Sequence, residues 1–310
     1  MSRVAVIDVG TNSVRLLVAD VTEAGLREVE RDLVITRLGE RVDRDRRLGP
    51  EPLRRTVAAI AGYAERASIA GAGPIRIIAT SAVRDAANRA EFVAAVSRAT
   101  DLGPEILSGE QEAALGFLGA TIDLDADPPY LVVDIGGGST ELVRGTGSAE
   151  RWISLDIGSV RLTERHIVSD PPTDREVAAV RDDAVRALTG AIESLGAASP
   201  GTLVGLAGTI TTAAAIALGL TGYDRDAVHR SRLSRETVGR VLGDLIAMTS
   251  EQRRALPAMP RGREDVIVAG IVILEQVMGV WDVEEVLVSE TDILDGAALA
   301  AFPAGDGDTR

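Results

Sequence analysis

The chain contains the same short pattern twice, at residues 4–13 and at residues 130–139. In each copy a run of apolar residues is followed, in this order, by Asp, an apolar residue, Gly, two variable residues and Ser. A second apolar run comes next. The second copy stands 126 positions after the first. A weaker echo joins residues 75–81 to residues 203–209, at a spacing of 128 positions. Because self-similarity at a fixed spacing is typical of duplicated units, we expect two halves of similar topology.

Apolar periodicity predicts alternating strands and helices in both halves. Each repeated pattern is predicted to form a β-hairpin with a turn rich in Gly, Ser and Thr, because runs of Val, Ile and Leu favour strands. Helices are predicted over residues 52–71, 84–100, 109–121, 172–195, 235–248, 262–278 and 293–301. Further strands are predicted at residues 151–156 and 286–289, and residues 123–129 are predicted to form a linker. The predicted class is therefore α/β, with two layered domains.

The linker predicts where the chain divides into domains. We expect a first domain at residues 1–122 and a second at residues 123–310. The last predicted helix, from Ile293, is able to pack back on the first domain, and the C-terminal boundary depends on whether it does so.

The repeated hairpin has a chemistry suited to phosphate. Glycine allows the backbone to turn tightly and to approach a ligand closely, and successive N–H groups in such a turn form a concave site for an anion. The Asp that ends the first strand would repel phosphate, so its natural partner is a divalent cation. One such hairpin is more simply an ordinary turn, whereas two facing one cleft favour a phosphate clamp.

Composition excludes several kinds of chemistry. The chain has no Cys, no Lys among its 33 basic residues, and two His. Disulfides, a cysteine nucleophile, a Cys/His zinc site, a Schiff-base lysine and a P-loop lysine are therefore excluded. A formal net charge of −14 argues against a general nucleic-acid binder. The uncharged stretch 194–223 is divided by Pro and Gly, and no secretory leader is evident, so we expect a cytoplasmic protein without a membrane span.

Four motifs together resemble one known family, that of exopolyphosphatases and guanosine pentaphosphate phosphohydrolases. They are Asp8-Val-Gly-Thr-Asn-Ser13, Ala79-Thr-Ser-Ala-Val-Arg84 with Asn88, Ser108-Gly-Glu-Gln-Glu-Ala113, and Asp134-Ile-Gly-Gly-Gly-Ser-Thr-Glu141. The resemblance covers about residues 3 to 300 in the family's order, and the length is similar to that of the short, two-domain members. It implies the fold of actin, sugar kinases and heat-shock chaperone ATPases: two ribonuclease H-like domains with mixed sheets flanked by helices and a cleft between them.

The resemblance also implies a reaction, in which water attacks the terminal phosphorus of a phosphoanhydride. Such chemistry is mainly positioning and charge stabilisation. By resemblance Glu112 is the general base, and Glu110, on another face of the helix, is the second choice. Without the family, Glu112 would more simply be a surface residue. Arg84 would pair with the terminal phosphates through its planar guanidinium.

The remaining site residues are assigned to metal and phosphate. Asp8, Asp134 and Glu141 would hold Mg²⁺ or Mn²⁺, with Glu141 equally suited to orienting another ligand. The predicted phosphate-binding residues are Gly10, Thr11, Asn12, Ser13, Thr80, Ser81, Gly136, Gly137, Gly138, Ser139, Gly208 and Thr209. Arg15 alternates with apolar strand residues and is expected to face solvent or the cleft.

The chain departs from the family pattern at two places. Ala207 stands where relatives commonly carry the first Gly of Gly-Gly-Thr, and its methyl group would narrow that pocket. Asp292 and Asp295 stand in a segment where many relatives carry Gly-Leu-Arg-x-Gly. The loss of that arginine weakens the expectation of a preference for long chains.

Two groups of arginines have open roles. One lies within residues 37–47 and the other within residues 225–235, around His229. Two interpretations are open. Either both groups lie in solvated loops whose charge is balanced by nearby acids, or one group forms a track for a phosphate chain. Neutralising Arg230 and Arg232 together would test the second group. His166 and His229 are expected to be structural.

The sequence leaves four functions open. Exopolyphosphatase is preferred, and a guanosine pentaphosphate 5′-phosphohydrolase would use the same site with an added guanosine pocket. A low-turnover regulator that binds polyphosphate or nucleotide is a third possibility, and a small-molecule kinase is a fourth, which the Glu112 motif disfavours. A homodimer is plausible from the resemblance alone, and neither nucleic acid nor membrane is expected as a partner.

Overall fold

A computed structural model of the chain describes residues 2–22 and 25–301. The chain forms two compact units. The first comprises the described parts of Met1–Gly119 and Thr291–Arg310, and the second comprises Ala120–Glu290. A single boundary near residue 123 would assign the last segment to the second unit, whereas the contacts group it with the first.

The first unit is built on a five-stranded mixed sheet. Its strands are β1 (Ser2–Val9), β2 (Ser13–Thr22), β3 (Gly25–Ile35), β4 (Ile75–Ala79) and β5 (Glu105–Ile106), in the spatial order β3-β2-β1-β4-β5. β1 runs antiparallel to β2 and parallel to β4. Its helices are α1 (Val42–Asp45), α2 (Pro50–Ile69), α3 (Ser81–Asp85), α4 (Arg89–Thr100), α5 (Gly109–Thr121, mostly in this unit) and α13 (Ile293–Ala300).

The second unit is built on a six-stranded mixed sheet. Its strands are β6 (Tyr130–Ile135), β7 (Thr140–Gly145), β8 (Ala149–Leu155), β9 (Thr202–Leu206), β10 (Arg232–Ser234) and β11 (Glu285–Val288), in the spatial order β10-β11-β9-β6-β7-β8. Its helices are α6 (Ser159–His166), α7 (Asp174–Leu195), α8 (Ala207–Ala217), α9 (Arg225–Val228), α10 (Arg235–Ile246), α11 (Ser250–Arg254) and α12 (Ile267–Val280).

The two sheets share one topology, which confirms the predicted repeat. In both, an antiparallel three-strand meander is extended by a parallel strand beside its first strand, β4 beside β1 and β9 beside β6. A further parallel strand follows each of these, β5 and β11. The second sheet differs by the added edge strand β10. This is the predicted fold class, two ribonuclease H-like domains with mixed sheets flanked by helices.

Helices cover both faces of the first sheet, and residues 4–7 of its central strand are apolar on both faces. Alternate residues of β1 enter two cores: Ala5 and Ile7 join the core that contains Ile60 of α2, whereas Val4 and Val6 join the core that contains Leu294 of α13. Burial on both faces explains why β1 is a continuous apolar run rather than an alternating strand. It also explains why α13 belongs to this unit.

The second unit has one large core. It joins β6 to α7, α8, α10 and α12 through buried aliphatic side chains and Trp281. α7 begins at a capping box in which Thr173 and Glu176 exchange hydrogen bonds with each other's backbone N–H groups. Among the described residues, no helix is both long enough and apolar enough to cross a membrane.

One predicted helix is interrupted. The segment 84–100 contains the end of α3 and the whole of α4, separated at residues 86–88. The Asn88 side chain there accepts from the Leu48 N–H (2.8 Å) and donates to the Leu48 carbonyl (3.2 Å). These long-range bonds hold Asn88 outside the helix, which periodicity could not reveal.

Candidate active site

Both glycine-rich turns are closed by the same hydrogen bond. In the first, the Gly10 N–H donates to the Ser13 carbonyl at 2.9 Å. In the second, the Gly136 N–H donates to the Ser139 carbonyl at 3.0 Å. The sequence repeat is therefore a repeat of backbone geometry, and each turn joins the first two strands of its sheet.

The start of α3 lies beside the first turn. The Thr80 N–H donates to the Val9 carbonyl at 3.1 Å, and the hydroxyls of Thr11 and Ser81 are hydrogen-bonded at 2.9 Å. Because β4 runs parallel to β1, the two strands end at the same edge of the sheet. This edge brings together Thr80, Ser81 and the first turn, as the phosphate-site prediction requires.

α3 also carries Arg84, whose partner in this structure is Glu112. Arg84 Nη1 donates to Glu112 Oε2 at 2.7 Å and to the Leu107 carbonyl at 3.2 Å. The Glu112 side chain is 11% exposed, whereas Glu110 is exposed. Of the two predicted carboxylates, Glu112 is the one held in a defined position.

The start of α5 determines where Glu112 lies. Ser108 Oγ accepts from the Gln111 N–H (3.2 Å), and Gln111 Oε1 accepts from the Ser108 N–H (2.9 Å). This reciprocal pair caps the helix at its first turn, and the Glu112 N–H donates to the Ser108 carbonyl at 3.0 Å. The helix predicted over residues 109–121 therefore has the predicted bounds.

Asp8 is buried and forms an ion pair with Arg15, its cross-strand neighbour. Arg15 Nε and Nη2 donate to Asp8 Oδ2 at 2.9 and 2.7 Å, and Arg15 Nη1 pairs with Asp292. The Arg15 side chain is 18% exposed, so the expectation that it faces solvent is wrong, whereas the expectation that it faces a cleft stays a prediction.

The second oxygen of Asp8 is left without a partner. Burial raises the Asp8 pKa more than Arg15 lowers it, and Oδ1 is buried without a hydrogen-bond partner among the described residues. An orphaned carboxylate oxygen fits a cation or the water bound to one. Asp8 thus remains compatible with its predicted metal role.

The second unit carries two carboxylates at the corresponding register. Asp134 on β6 stands directly opposite Glu141 on β7, as Asp8 stands opposite Arg15. Glu141 is buried, and its Oε1 accepts from Ser154 Oγ at 2.7 Å. A carboxylate pair is the donor set that hard divalent cations prefer.

The described residues contain no group of three or more acidic or histidine side chains arranged to hold a metal ion. A metal at Asp134 and Glu141 would therefore complete its coordination with water and phosphate oxygens. This is the usual arrangement for Mg²⁺, which keeps several waters and binds substrate phosphates.

In each unit, backbone N–H groups of the segment after the third strand donate hydrogen bonds to the carbonyl groups of the glycine-rich turn. In the first unit, the Thr36 and Arg37 N–H groups donate to the Asn12 carbonyl at 3.0 and 2.9 Å. The Gly39 N–H donates to the Thr11 carbonyl at 2.8 Å, and a Cβ at Gly39 would overlap the Thr11 side chain.

In the second unit α6 has the same role. The Ser159 N–H donates to the Gly136 carbonyl at 2.9 Å, and the Arg161 N–H donates to the Gly137 carbonyl at 3.0 Å. Arg161 Nε also donates to the Gly138 carbonyl at 2.6 Å. A Cβ at Gly158 would lie 2.5 Å from the Gly137 oxygen. The sequence prediction missed α6, although an apolar residue followed by Gly after the third strand is common to both halves.

Gly208 and Thr209 lie in the first turn of α8. Arg263 Nη1 donates to the Gly208 carbonyl (2.7 Å) and to Thr212 Oγ1 (2.8 Å). Ala207 has a φ of 64°, in the left-handed region. This conformation favours a glycine, the residue that the family resemblance implied for that position. Sequence analysis did not identify Arg263 as a residue that holds this turn, because its partners Gly208 and Thr212 lie 55 and 51 positions away in the sequence.

Asp292 and Asp295 have structural partners. The Asp292 side chain caps α13 by accepting from the Leu294 N–H at 2.9 Å, and Asp295 accepts from Arg31 Nη2 at 2.6 Å. Although burial opposes it, the charges of Arg15 and Arg31 hold the pKa of Asp292 below its ordinary value. Both acids therefore have arginine partners within the first unit.

The two histidines bind neighbouring groups within their unit. His166 Nε2 lies 2.8 Å from Asp183 Oδ2. His229 Nδ1 accepts from the Glu290 N–H at 3.1 Å, and burial lowers the His229 pKa. An Nδ1 acceptor requires the neutral ring, with the proton on Nε2. Both contacts fit the structural role expected of these residues.

Comparison with known proteins decides the family. The sequence model of the "Ppx/GppA phosphatase family" matches residues 17–302 of this chain. The chain belongs to this family. As a Ppx/GppA member it is a phosphoanhydride hydrolase, the predicted class of enzyme.

Named relatives and solved structures agree with the family over almost the whole chain. Exopolyphosphatase 2 of Mycobacterium tuberculosis is 42% identical, over 97% of this chain and 98% of the relative. A crystal structure of an exopolyphosphatase-like protein has a TM-score of 0.92 at 38% identity, covering 96% of this chain and 98% of its own. The Aquifex aeolicus Ppx/GppA structure has a TM-score of 0.82 at 31% identity, covering 97% of each chain.

Proposed function

We propose that this Ppx/GppA member is an exopolyphosphatase, which removes the terminal phosphate of inorganic polyphosphate. One observation carries the proposal: a connected set of contacts leads from the first turn to the candidate base. Thr11 contacts Ser81, Ser81 and Arg84 share α3, and Arg84 holds Glu112. The 42% identity to an exopolyphosphatase over nearly full length supports this choice of substrate.

Glu112 accepts a proton from the attacking water in this proposal. Its carboxylate is largely buried, and Arg84 fixes one of its oxygens at 2.7 Å. A fixed carboxylate lowers the cost of orienting water for in-line attack. Arg84 lies beside Glu112, and its guanidinium is also proposed to bind the charge that develops on the transferred phosphoryl group.

The turns are proposed to bind the phosphates. In each unit, main-chain and hydroxyl groups hold the turn in one shape, through Thr11 and Ser81 in the first and through Ser159 and Arg161 in the second. Turns held in this way present their free donors without reorganisation when the substrate arrives.

Asp134, Glu141 and Asp8 Oδ1 are the proposed metal-facing oxygens. A Mg²⁺ or Mn²⁺ ion bound at Asp134 and Glu141, or at Asp8 within the first unit, would neutralise phosphate charge. Asp134 and Glu141 are the stronger candidates for binding the metal because they face each other across the strand pair, so that two carboxylates lie together. Asp8 instead faces Arg15.

Phosphate release tests this function. Polyphosphates of several defined lengths would be assayed beside guanosine pentaphosphate while Mg²⁺ and Mn²⁺ are titrated. We expect metal-dependent release from polyphosphate; release from guanosine pentaphosphate alone would replace the proposal with the 5′-phosphohydrolase, and binding without turnover would indicate the regulator.

Two variants test the proposed roles. Glu112→Ala and Asp134→Ala should each lower turnover by at least about 10²-fold, through loss of a general base and of a metal-facing carboxylate. Glu110→Ala is the matched control, because it removes an exposed carboxylate from the same helical turn. Near wild-type turnover in either variant, with circular dichroism showing an intact fold, would rule out its assigned role.

A further inference from the structure

The two carboxylates of the second hairpin belong to a row that continues onto a third strand. Asp134 on β6 stands opposite Glu141 on β7, and Glu141 in turn stands opposite Ser154 on β8. Directly opposed residues of neighbouring antiparallel strands lie on the same face of a sheet. The three side chains therefore cross the sheet in the order carboxylate, carboxylate, hydroxyl, and we call these three residues the polar row.

The first hairpin has a corresponding row of different composition. Its members are Asp8 on β1, Arg15 on β2 and Leu33 on β3. The Leu33 side chain has no hydrogen-bonding atom, and the charged partner that Arg15 finds outside the row is Asp292, at the start of α13. Of the two rows, only the one with two carboxylates therefore has a hydroxyl on its third strand.

A short hydrogen bond joins the last two members of the polar row. Ser154 Oγ donates to Glu141 Oε1 at 2.7 Å. Hydrogen bonds from a hydroxyl to an ionised carboxylate have lengths of roughly 2.5–2.7 Å and are about twice as strong as bonds between neutral groups. An ionised carboxylate has about four lone-pair sites. One bond from Ser154 therefore orients the buried Glu141 side chain without preventing it from binding a cation.

Ser154 has a defined position although β8 lies at the edge of its sheet. Just beyond the end of β8, the Ile157 carbonyl accepts from the Thr140 hydroxyl at 2.8 Å. The next segment is tied to the glycine-rich turn, because the Ser159 N–H donates to the Gly136 carbonyl at 2.9 Å. The end of β8 that carries the donor of the polar row is therefore held by both β7 and the turn.

We propose that Ser154 is a positioning residue for the metal-facing carboxylate of Glu141. Its hydroxyl holds Glu141 so that a divalent cation bound at Asp134 meets a carboxylate that is already oriented. Groups that hydrogen-bond to a ligating carboxylate in this way raise the affinity of the site for its metal. The inference rests on the proposed function and adds a residue to its metal site.

The same hydrogen bond has a simpler interpretation, in which it only satisfies a buried carboxylate. Its loss would then lower the stability of the protein and leave the affinity for metal unchanged. The two interpretations therefore differ in a measurable quantity, the metal affinity and its dependence on Glu141.

Mn²⁺ binding to the full chain is the test, because it requires no turnover. The electron paramagnetic resonance signal of free Mn²⁺ measures the affinity. Asp134→Ala identifies the ion bound at the polar row, since binding to other acidic groups persists in that variant. Ser154→Ala removes the donor, and Ser154→Thr keeps a hydroxyl. The matched control is Ser148→Ala, which removes an exposed serine from the turn between β7 and β8.

We expect Ser154→Ala to weaken Mn²⁺ binding at the polar row by at least about tenfold, the usual effect of removing a group that orients a metal ligand. Ser154→Thr should stay within about threefold of the unaltered protein, and Ser148→Ala should have its affinity. In the Glu141→Gln background, where binding is already weaker, Ser154→Ala should change the affinity by less than about twofold, because two residues that act through one contact are not additive.

Two results would overturn the inference. One is an Mn²⁺ affinity that is unchanged in Ser154→Ala or that falls equally in both backgrounds. The other is the absence of Mn²⁺ binding at the polar row in the unaltered protein. Denaturant titration of the metal-free variants checks the fold, and Ser154→Cys, with a thiol that is only a weak donor, replaces Ser154→Ala if the latter does not fold.

Failure of the proposed function gives a different result. In that case the unaltered protein releases no phosphate from polyphosphate of any length, while Mn²⁺ binding and its dependence on Ser154 persist.

Discussion

Arg15 and Glu141 occupy the same register in the two repeated hairpins, and their opposite charges give the hairpins different chemistry. Arg15 neutralises Asp8, whereas Glu141 doubles the negative charge beside Asp134. A divalent cation is therefore attracted less strongly by the first arrangement than by the second. The two hairpins therefore share a turn geometry and differ in charge at this cross-strand position.

Ala207 offers a test of backbone strain at a single residue. Its φ of 64° suits Gly, which has no Cβ. Ala207→Gly relieves a strain of roughly 1–2 kcal/mol, but part of this gain is lost because Gly loses more backbone entropy on folding. We therefore expect the substitution to raise the free energy of unfolding by about 0.5–1 kcal/mol.

Chemical denaturation measures this change. Ala213→Gly, in the buried interior of the same helix, is the control and should destabilise the protein, by roughly 1 kcal/mol or more. A loss of stability in Ala207→Gly comparable to that in Ala213→Gly would show that position 207 carries no strain.

Among the elements, α5 and α13 approach each other more closely than ordinary side chains allow. A Cβ at Gly119 would overlap the Asp292 carbonyl oxygen, and a Cβ at Gly296 would overlap the Leu115 carbonyl oxygen. Each glycine thus admits the backbone of the other helix. This contact also fixes the helix that carries Glu112.

Gly119→Ala should therefore force the two helices apart. We expect a loss of about 1–3 kcal/mol in the free energy of unfolding of the first unit, the usual cost of overpacking. Gly116→Ala is the matched control on the same helix, because its Cβ would meet no atom within 4 Å. It should be neutral or stabilising, since Ala favours a helix more than Gly. Equal effects of the two substitutions in denaturant titrations would contradict the close crossing.

For individual helices, the accuracy of the predicted bounds depended on whether the residues that fix a helix end lie close to it in the sequence. The bounds of α5 were predicted correctly because Ser108 and Gln111 form its cap locally. The break between α3 and α4 was not, because Asn88 is held by Leu48, 40 positions away. Similarly, α12 begins at Ile267 rather than near residue 262, because turns precede it.

For the molecule as a whole, the first unit is discontinuous in sequence and the second is not. Leu294 and Ala297 of α13 complete a core with Val4, Val6 and Leu17. Removal of residues 291–310 would expose one face of the first sheet. The second unit contains its own large core within residues 120–290.

Truncation after Glu290 should consequently unfold the first unit and leave the second folded. Hydrogen exchange with fragment analysis measures both in one experiment: protection should disappear from β1 and β2 and persist in β6 and α12. The full-length variant Leu294→Asp should have the same effect, because it buries an unpaired charge in that core. Protection retained in β1 after both changes would contradict this account.

The sequence by itself determined the features that are local. Apolar runs ending in Asp-apolar-Gly gave both hairpins, their spacing gave the duplicated topology, and the motifs around Arg84 and Glu112 gave the family. These signals survive in one dimension because strands, turns and caps depend on neighbouring residues.

Only the tertiary structure decided which charges meet. Arg15 pairs with Asp292 across 277 positions, Arg84 reaches Glu112 from another helix, and α13 returns to the first unit. No local pattern encodes such partners, because packing brings them together only once the sheets and helices have formed. The proposed phosphate-binding residues could be named from sequence, but the contacts that hold them required the fold.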